Sequence, residues 1–177
     1  MKLIKLTALS SLLFVFVTGI TSCEKNAEKK KTTDYEKTGI IMSGAQETPA
    51  VPSTAIGSMD VFYSKETRTL TYKVTWSGLT DSLSLMHIHG LAPTGFAAGV
   101  VQNIVAASNS IFPRLTGTRL TFLKSGTISG TLLVDGVLVK EQDLLNGMYY
   151  MNIHTNGINP NGGTYGAGEI RGQITFQ

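Results

Sequence analysis

The stretch Thr69-Leu70-Thr71-Tyr72-Lys73-Val74-Thr75-Trp76 decides the fold. Leu70, Tyr72, Val74 and Trp76 alternate with Thr69, Thr71, Lys73 and Thr75. Successive side chains of a strand point to opposite faces, so this pattern predicts a strand with one buried and one solvated face. Ser64-Lys65-Glu66-Thr67-Arg68 reads as the turn before it, and Met59, Val61 and Tyr63 form the apolar face of the preceding strand. Residues 56–76 are therefore expected to be a hairpin. Working outward, further strands are expected at 39–43, 83–89, 99–105, 118–123, 126–134, 147–154 and 169–176, with Gly-rich breaks between most of them. Lys140 to Leu145, just before Asn146-Gly147, is the one helical candidate. Eight or nine short strands with at most one short helix predict an all-β, antiparallel β-sandwich.

Composition agrees. Hydrophobic residues make up 42% and charged residues 15% of 177, which excludes wholesale disorder. The N-terminus reads as a targeting segment. Lys2 and Lys5 precede the apolar run from Leu6 to Gly19, which is shorter than the ~20 residues a membrane-spanning helix needs. Ile20-Thr21-Ser22-Cys23 then resembles a bacterial lipobox, with Cys23, the single cysteine, at the cleavage point. Residues 1–22 are thus expected to be a lipoprotein signal peptide, and Cys23 the lipidated residue that holds the chain to a membrane. Residues 23–38, charged and without periodicity, are expected to be a flexible tether, and 39–177 the domain. Removing Lys2 and Lys5 from the 15 basic residues leaves 13 against 12 acidic ones. A chain so close to neutral carries no electrostatic footprint for nucleic acid.

All three histidines fall in two strand patterns. In Met86-His87-Ile88-His89-Gly90, alternation sets His87 and His89 opposite Met86 and Ile88. In Tyr149-Tyr150-Met151-Asn152-Ile153-His154, it groups His154 with Tyr150 and Asn152. In Glu169 to Phe176 it groups Glu169, Arg171 and Gln173 against Ile170, Ile174 and Phe176. Two readings stay open. In one, His87, His89 and His154 ligate a single zinc or copper ion, with Glu169 as fourth ligand or base and Arg171 as an anion contact nearby. In the other, the same side chains form a hydrogen-bonding network that ties loops to the sheet, with Glu169 and Arg171 as an ion pair.

No nucleophile motif stands out: Gly-x-Ser-x-Gly and His-Glu-x-x-His are both missing. A hydrolase built on Glu47, Asp60, Asp81 or Glu169 has only unpaired carboxylates behind it. No catalytic residue is therefore assigned, and the chain is read as more a binding protein than an enzyme.

Four ordered blocks resemble the CHRD domain, which is named for its repeats in chordin and also occurs in bacterial exported proteins. They are Ser43-Gly44-Ala45-Gln46-Glu47-Thr48-Pro49-Ala50-Val51, Leu70 to Leu79, Met86 to Ala92, and Asn152-Ile153-His154-Thr155 with Gly168-Glu169-Ile170-Arg171-Gly172-Gln173. Leu91 departs from the usual proline, and Asn156 to Ala167 is longer than the family's common link. The resemblance implies an extracytoplasmic all-β domain and no defined reaction. A weaker likeness links the His-x-His strand, the later His and the closing strand to Cu/Zn superoxide dismutase. Three histidines are too few for that family's dinuclear site, which leaves room for one metal at most. The expected fold is thus an Ig-like or Cu/Zn-superoxide-dismutase-like sandwich. The expected function is a lipid-anchored, non-catalytic binding or structural module of the bacterial envelope, on the periplasmic face or cell surface, with a protein or polysaccharide ligand. The rival is a mononuclear His₃ metal protein with redox capacity.

Overall fold

The computed structural model describes residues 34–105 and 124–176. The signal peptide, Cys23, most of the tether and the strand expected at 118–123 lie outside the described residues.

Among the described residues eight strands form: β1 (Tyr35–Ser43), β2 (Ile56–Ser64), β3 (Thr69–Ser77), β4 (Leu83–Gly90), β5 (Val100–Val105), β6 (Gly126–Leu133), β7 (Tyr149–Thr155) and β8 (Ile170–Gln173). The helix α1 covers Glu141–Leu145. β1 begins at Tyr35, so the last residues assigned to the tether belong to the domain instead. Their order in the sheet is β5-β4-β7-β8-β1-β2-β3-β6, and every neighbouring pair is antiparallel. The two layers are therefore halves of one continuous sheet. They join at β1 and β8, where Ser43 pairs with Arg171. The outer strands approach one another across the back: Gln102 of β5 donates from Nε2 to the Thr131 carbonyl of β6 at 2.8 Å. The sheet is nearly closed, which covers its edges.

The β3 alternation works as the sequence dictates. Leu70, Tyr72, Val74 and Trp76 are buried, while Thr71, Lys73 and Thr75 are exposed. Met59, Val61 and Tyr63 of β2 face the same core, joined by Met86, Ile88, Met151, Ile153 and Ile170 from the other half. Burying a side chain of this size stabilises the fold by about 1.5–3 kcal/mol, so this shared core holds the two halves together without a cross-link. Glycine in β6 serves the aromatics of β3. A Cβ at Gly130 would run into the Tyr72 hydroxyl. α1 is fastened to the β2–β3 turn, because Glu141 accepts from Tyr63 Oη at 2.9 Å and pairs with Lys65 Nζ at 2.8 Å. Among the described residues, no helix is long and apolar enough to cross a membrane.

Candidate metal centre

Register builds the site. β4, β7 and β8 lie side by side, and pairing sets His87 beside Asn152 and Asn152 beside Arg171 in one row. The next row is His89, Tyr150 and Gln173. Because their neighbours Met86, Ile88, Met151, Ile153 and Ile170 face the core, these polar side chains share the opposite face.

That face is not solvated. His87 and His89 are 8% exposed and His154 is 6% exposed, and Asn152, Arg171 and Gln173 are buried with them. Three loop segments close over the layer, and its side chains hold them. From loop 91–99, the carbonyls of Ala98, Phe96 and Ala92 accept from His89, Arg171 and Gln173. From loop 156–169, the Gly166 carbonyl accepts from His154. From the segment after β1, Thr48 Oγ1 accepts from Arg171. A buried polar group needs such partners, so the layer and its loops require each other.

The three imidazoles converge. One ligand nitrogen from each of His87, His89 and His154 lies within 4.8 Å of the others. His89 Nδ1 is 2.9 Å from Ala98 O, and His154 Nδ1 is 3.0 Å from Gly166 O. A carbonyl only accepts, so both Nδ1 atoms carry protons and each ring turns its Nε2 inward. His87 Nδ1 stands 3.1 Å from His154 Nε2. Burial, reinforced by the neighbouring His154 and His89, holds the His87 pKa down at about 4. Burial also lowers that of His154, against the opposing pull of the Gly166 carbonyl. The neutral imidazole is the form that ligates a metal, and a backbone carbonyl on Nδ1 is a recurring way of orienting one.

Two residues of the expected site, Glu169 as fourth ligand and Arg171 as anion contact, make their bonds elsewhere in the network. Glu169 is fully buried but outside the histidine cluster. Its Oε1 accepts from Ser53 Oγ and Thr80 N, both at 2.9 Å. Its Oε2 accepts from Thr80 Oγ1 at 3.0 Å and Thr155 Oγ1 at 2.5 Å. These bonds make it a clamp on the loops, set apart from the histidine cluster. Arg171 does not guard an open position either. Its guanidinium lies over the Tyr150 ring at 3.4 Å and donates to Thr48, Phe96 and Gln173. Burial pulls its pKa down against the opposing influence of Tyr150 and Glu47, and no Glu169–Arg171 ion pair forms among the described residues.

Sequence reasoning missed Glu47 and Asn152 as site residues. Asn152 Oδ1 is 3.0 Å from both His89 Nε2 and His154 Nε2. Burial pushes the Glu47 carboxyl up to about 7, against the opposing pull of Arg171, Asn152 and Thr48. Among the described residues, Glu47 Oε1 is buried with no hydrogen-bond partner. The carboxylate fits there because residue 168 is glycine: at φ 140° it adopts a conformation that suits glycine, and a Cβ would strike Glu47. Position in the block Ser43 to Val51 was the one available signal for Glu47. The other carboxylates considered for hydrolysis are dispersed: Asp60 caps Gly39 N and Asp81 caps Ser82 N.

A family profile described as the CHRD domain matches residues 38–174. No curated protein and no solved structure is significantly similar to the chain. The profile spans nearly all the described strands and every residue of the polar layer, and the chain belongs to the CHRD domain family.

Proposed function

We propose that this chain is a non-catalytic envelope module that carries one zinc or copper ion on His87, His89 and His154. The carrying observation is the convergence of three buried imidazole nitrogens, two of them on rings pinned through Nδ1 to backbone carbonyls. The ion would fasten the β4–β7 face beneath loops 91–99 and 156–169 and so stiffen a binding surface. Lipid on Cys23 would hold the domain at the periplasmic face or cell surface, where a protein or polysaccharide is the partner. The CHRD membership and the Leu6–Gly19 and Cys23 pattern support that setting.

Thermal denaturation of the full chain, purified without a polyhistidine tag, tests the ion. Added Zn²⁺ or Cu²⁺ at about 100 times its Kd should stabilise the fold by about 2.7 kcal/mol. Chelator should reverse this, and His154→Ala should abolish it. An unchanged melting temperature would favour a second reading, in which the layer is a metal-free network. The 3.1 Å approach of His87 Nδ1 to His154 Nε2 is the observation on that side. Radiolabelled palmitate tests the anchor: label should enter the wild type and not Cys23→Ser.

A further inference from the structure

We infer that the turn Asp135-Gly136-Val137-Leu138-Val139 is a second membrane contact, one that dips Val137 and Leu138 into a lipid surface and so orients the domain on it. This rests on the Cys23 anchor above. The turn is built to present apolar side chains outward. Val134 and Val139 are buried and root its two ends. Between them Asp135 Oδ1 accepts from Val137 N at 2.8 Å and from Val139 N at 3.0 Å, and Gly136 N donates to the Val139 carbonyl at 2.9 Å. Gly136, at φ 82°, takes the left-handed conformation that glycine favours. Held in this way, Val137 is 82% exposed and Leu138 61%, and Leu133, 57% exposed, ends the strand that leads in. Single exposed aliphatics are ordinary on a protein surface, whereas a cluster of them at the tip of a closed turn marks a contact site.

Place in the fold says what covers them. Tyr35 pairs with Tyr63, Tyr63 with Leu70, and Leu70 with Leu132 in one row. The start of β1, the β2–β3 turn and the end of β6 therefore lie at one end of the sheet. Two bonds tie that end together: Asp34 Oδ1 accepts from Lys65 N at 3.1 Å, and the Arg68 carbonyl accepts from Val134 N at 2.8 Å. The chain thus enters the domain at the end that carries Val137 and Leu138. Residues 24–33 separate Cys23 from Asp34. A stretch of that length reaches at most about 33–36 Å, so acyl chains on Cys23 would keep this end beside the bilayer. The contact is then intramolecular, and a small apolar area suffices for it.

Charge does not draw this end to lipid. Lys65 pairs with Glu141, and Arg68 and Lys140 are offset by Asp34, Glu66 and Asp135. What the turn recognises is therefore the acyl boundary of a bilayer rather than an anionic headgroup.

The test uses the full chain with acylated Cys23, reconstituted in phosphatidylcholine vesicles that contain a doxyl-labelled phosphatidylcholine quencher. A thiol-reactive fluorophore is placed on Thr67→Cys, in the β2–β3 turn, or on Asn161→Cys, in the loop that leads into β8 beside Ser43 at the far end of β1. Each is studied with and without the pair Val137→Asp and Leu138→Asp, and near-ultraviolet dichroism confirms folding. A seated turn lies about 5–10 Å into the interface, so quenching should be at least about 3-fold stronger at residue 67 than at 161. The double substitution should erase that difference while the chain still floats with the vesicles. Equal quenching at the two positions in the wild type, or a difference that survives the double substitution, would overturn the membrane contact and leave the anchor standing. Shielding at residue 67 without lipid quenching, in chains that sediment as dimers, would overturn it in favour of a second copy of the chain. A chain that takes up two labels, and so has a free Cys23 thiol, and that fails to float would overturn the anchor and the contact together.

Discussion

His87 Nδ1 lies 3.1 Å from Nε2 of His154, a ring whose other nitrogen is spent on the Gly166 carbonyl. One imidazole therefore meets another at its lone pair, in a layer sealed from water. In the metal-free chain a proton on His87 can bridge them, and in the metal-bound chain an ion takes that place. The consequences separate the roles of the residues in the layer.

The first concerns pH. The His87 pKa is about 4 in the fold against 6.5 for a free ring. The unfolded chain takes up this proton first, so stability present above about pH 6.5 is lost as pH falls toward 4. Glu47 acts in the opposite sense. Its folded value is about 7 against 4.5, so stability is lost as pH rises through that window. The two offset each other between roughly pH 4.5 and 6.5 in chelator-treated protein. Urea denaturation across this range should show a steeper acid loss in Glu47→Gln and a loss on the alkaline side in His87→Gln. Parallel profiles for the two variants would contradict this.

Glu169 should govern stability without governing the ion. Glu169→Ala leaves the Ser53, Thr80 and Thr155 donors unpaired in the interior. Thr155 is fully buried whereas Ser53 and Thr80 are half-buried, so a loss of about 1–3 kcal/mol is expected. Denaturant titration should show that loss, while Cu²⁺ stoichiometry per folded chain stays that of the wild type. Loss of the ion in folded Glu169→Ala would return the residue to the ligand set.

Arg171 should tolerate no conservative exchange. A lysine keeps the charge but loses the planar fork that reaches Thr48, Phe96 and Gln173 and the stacking on Tyr150. Arg171→Lys is expected to cost about 1.5–3 kcal/mol. Amide hydrogen exchange should quicken in loop 91–99 before the core strands. Unchanged exchange there would show that the loop is held by other contacts.

Gly168 should resist even a methyl group. At φ 140° an alanine is strained, and its Cβ would collide with the Glu47 carboxylate. Gly168→Ala should destabilise by about 1–3 kcal/mol in denaturant titration. Wild-type stability in that variant would contradict the close fit of Glu47 against residue 168.

The pattern of legibility has physical reasons. In β2 and β3 one face is core and the other solvent, so alternation told buried from exposed residue by residue. In β4, β7 and β8 alternation still grouped His87, His89 and His154 correctly on one face. It could not tell that loops 91–99 and 156–169 cover that face, because coverage is a tertiary property. Glu169 was grouped with Arg171 by running the alternation one residue too far. β8 starts at Ile170, and the chain turns at Gly168, so the carboxylate swings to Thr80 and Thr155. Glu47 meets Asn152 only through the segment after β1 folding over the sheet, which no periodicity reports.

Metal content by mass spectrometry decides whether the histidine cluster holds an ion. The full chain, purified without a polyhistidine tag, is loaded with Cu²⁺ or Zn²⁺ and dialysed exhaustively. Close to one retained ion per chain is expected in the wild type, lost from each of His87→Ala, His89→Ala and His154→Ala. A wild type that emerges without metal, or His variants that retain as much as the wild type, would contradict it.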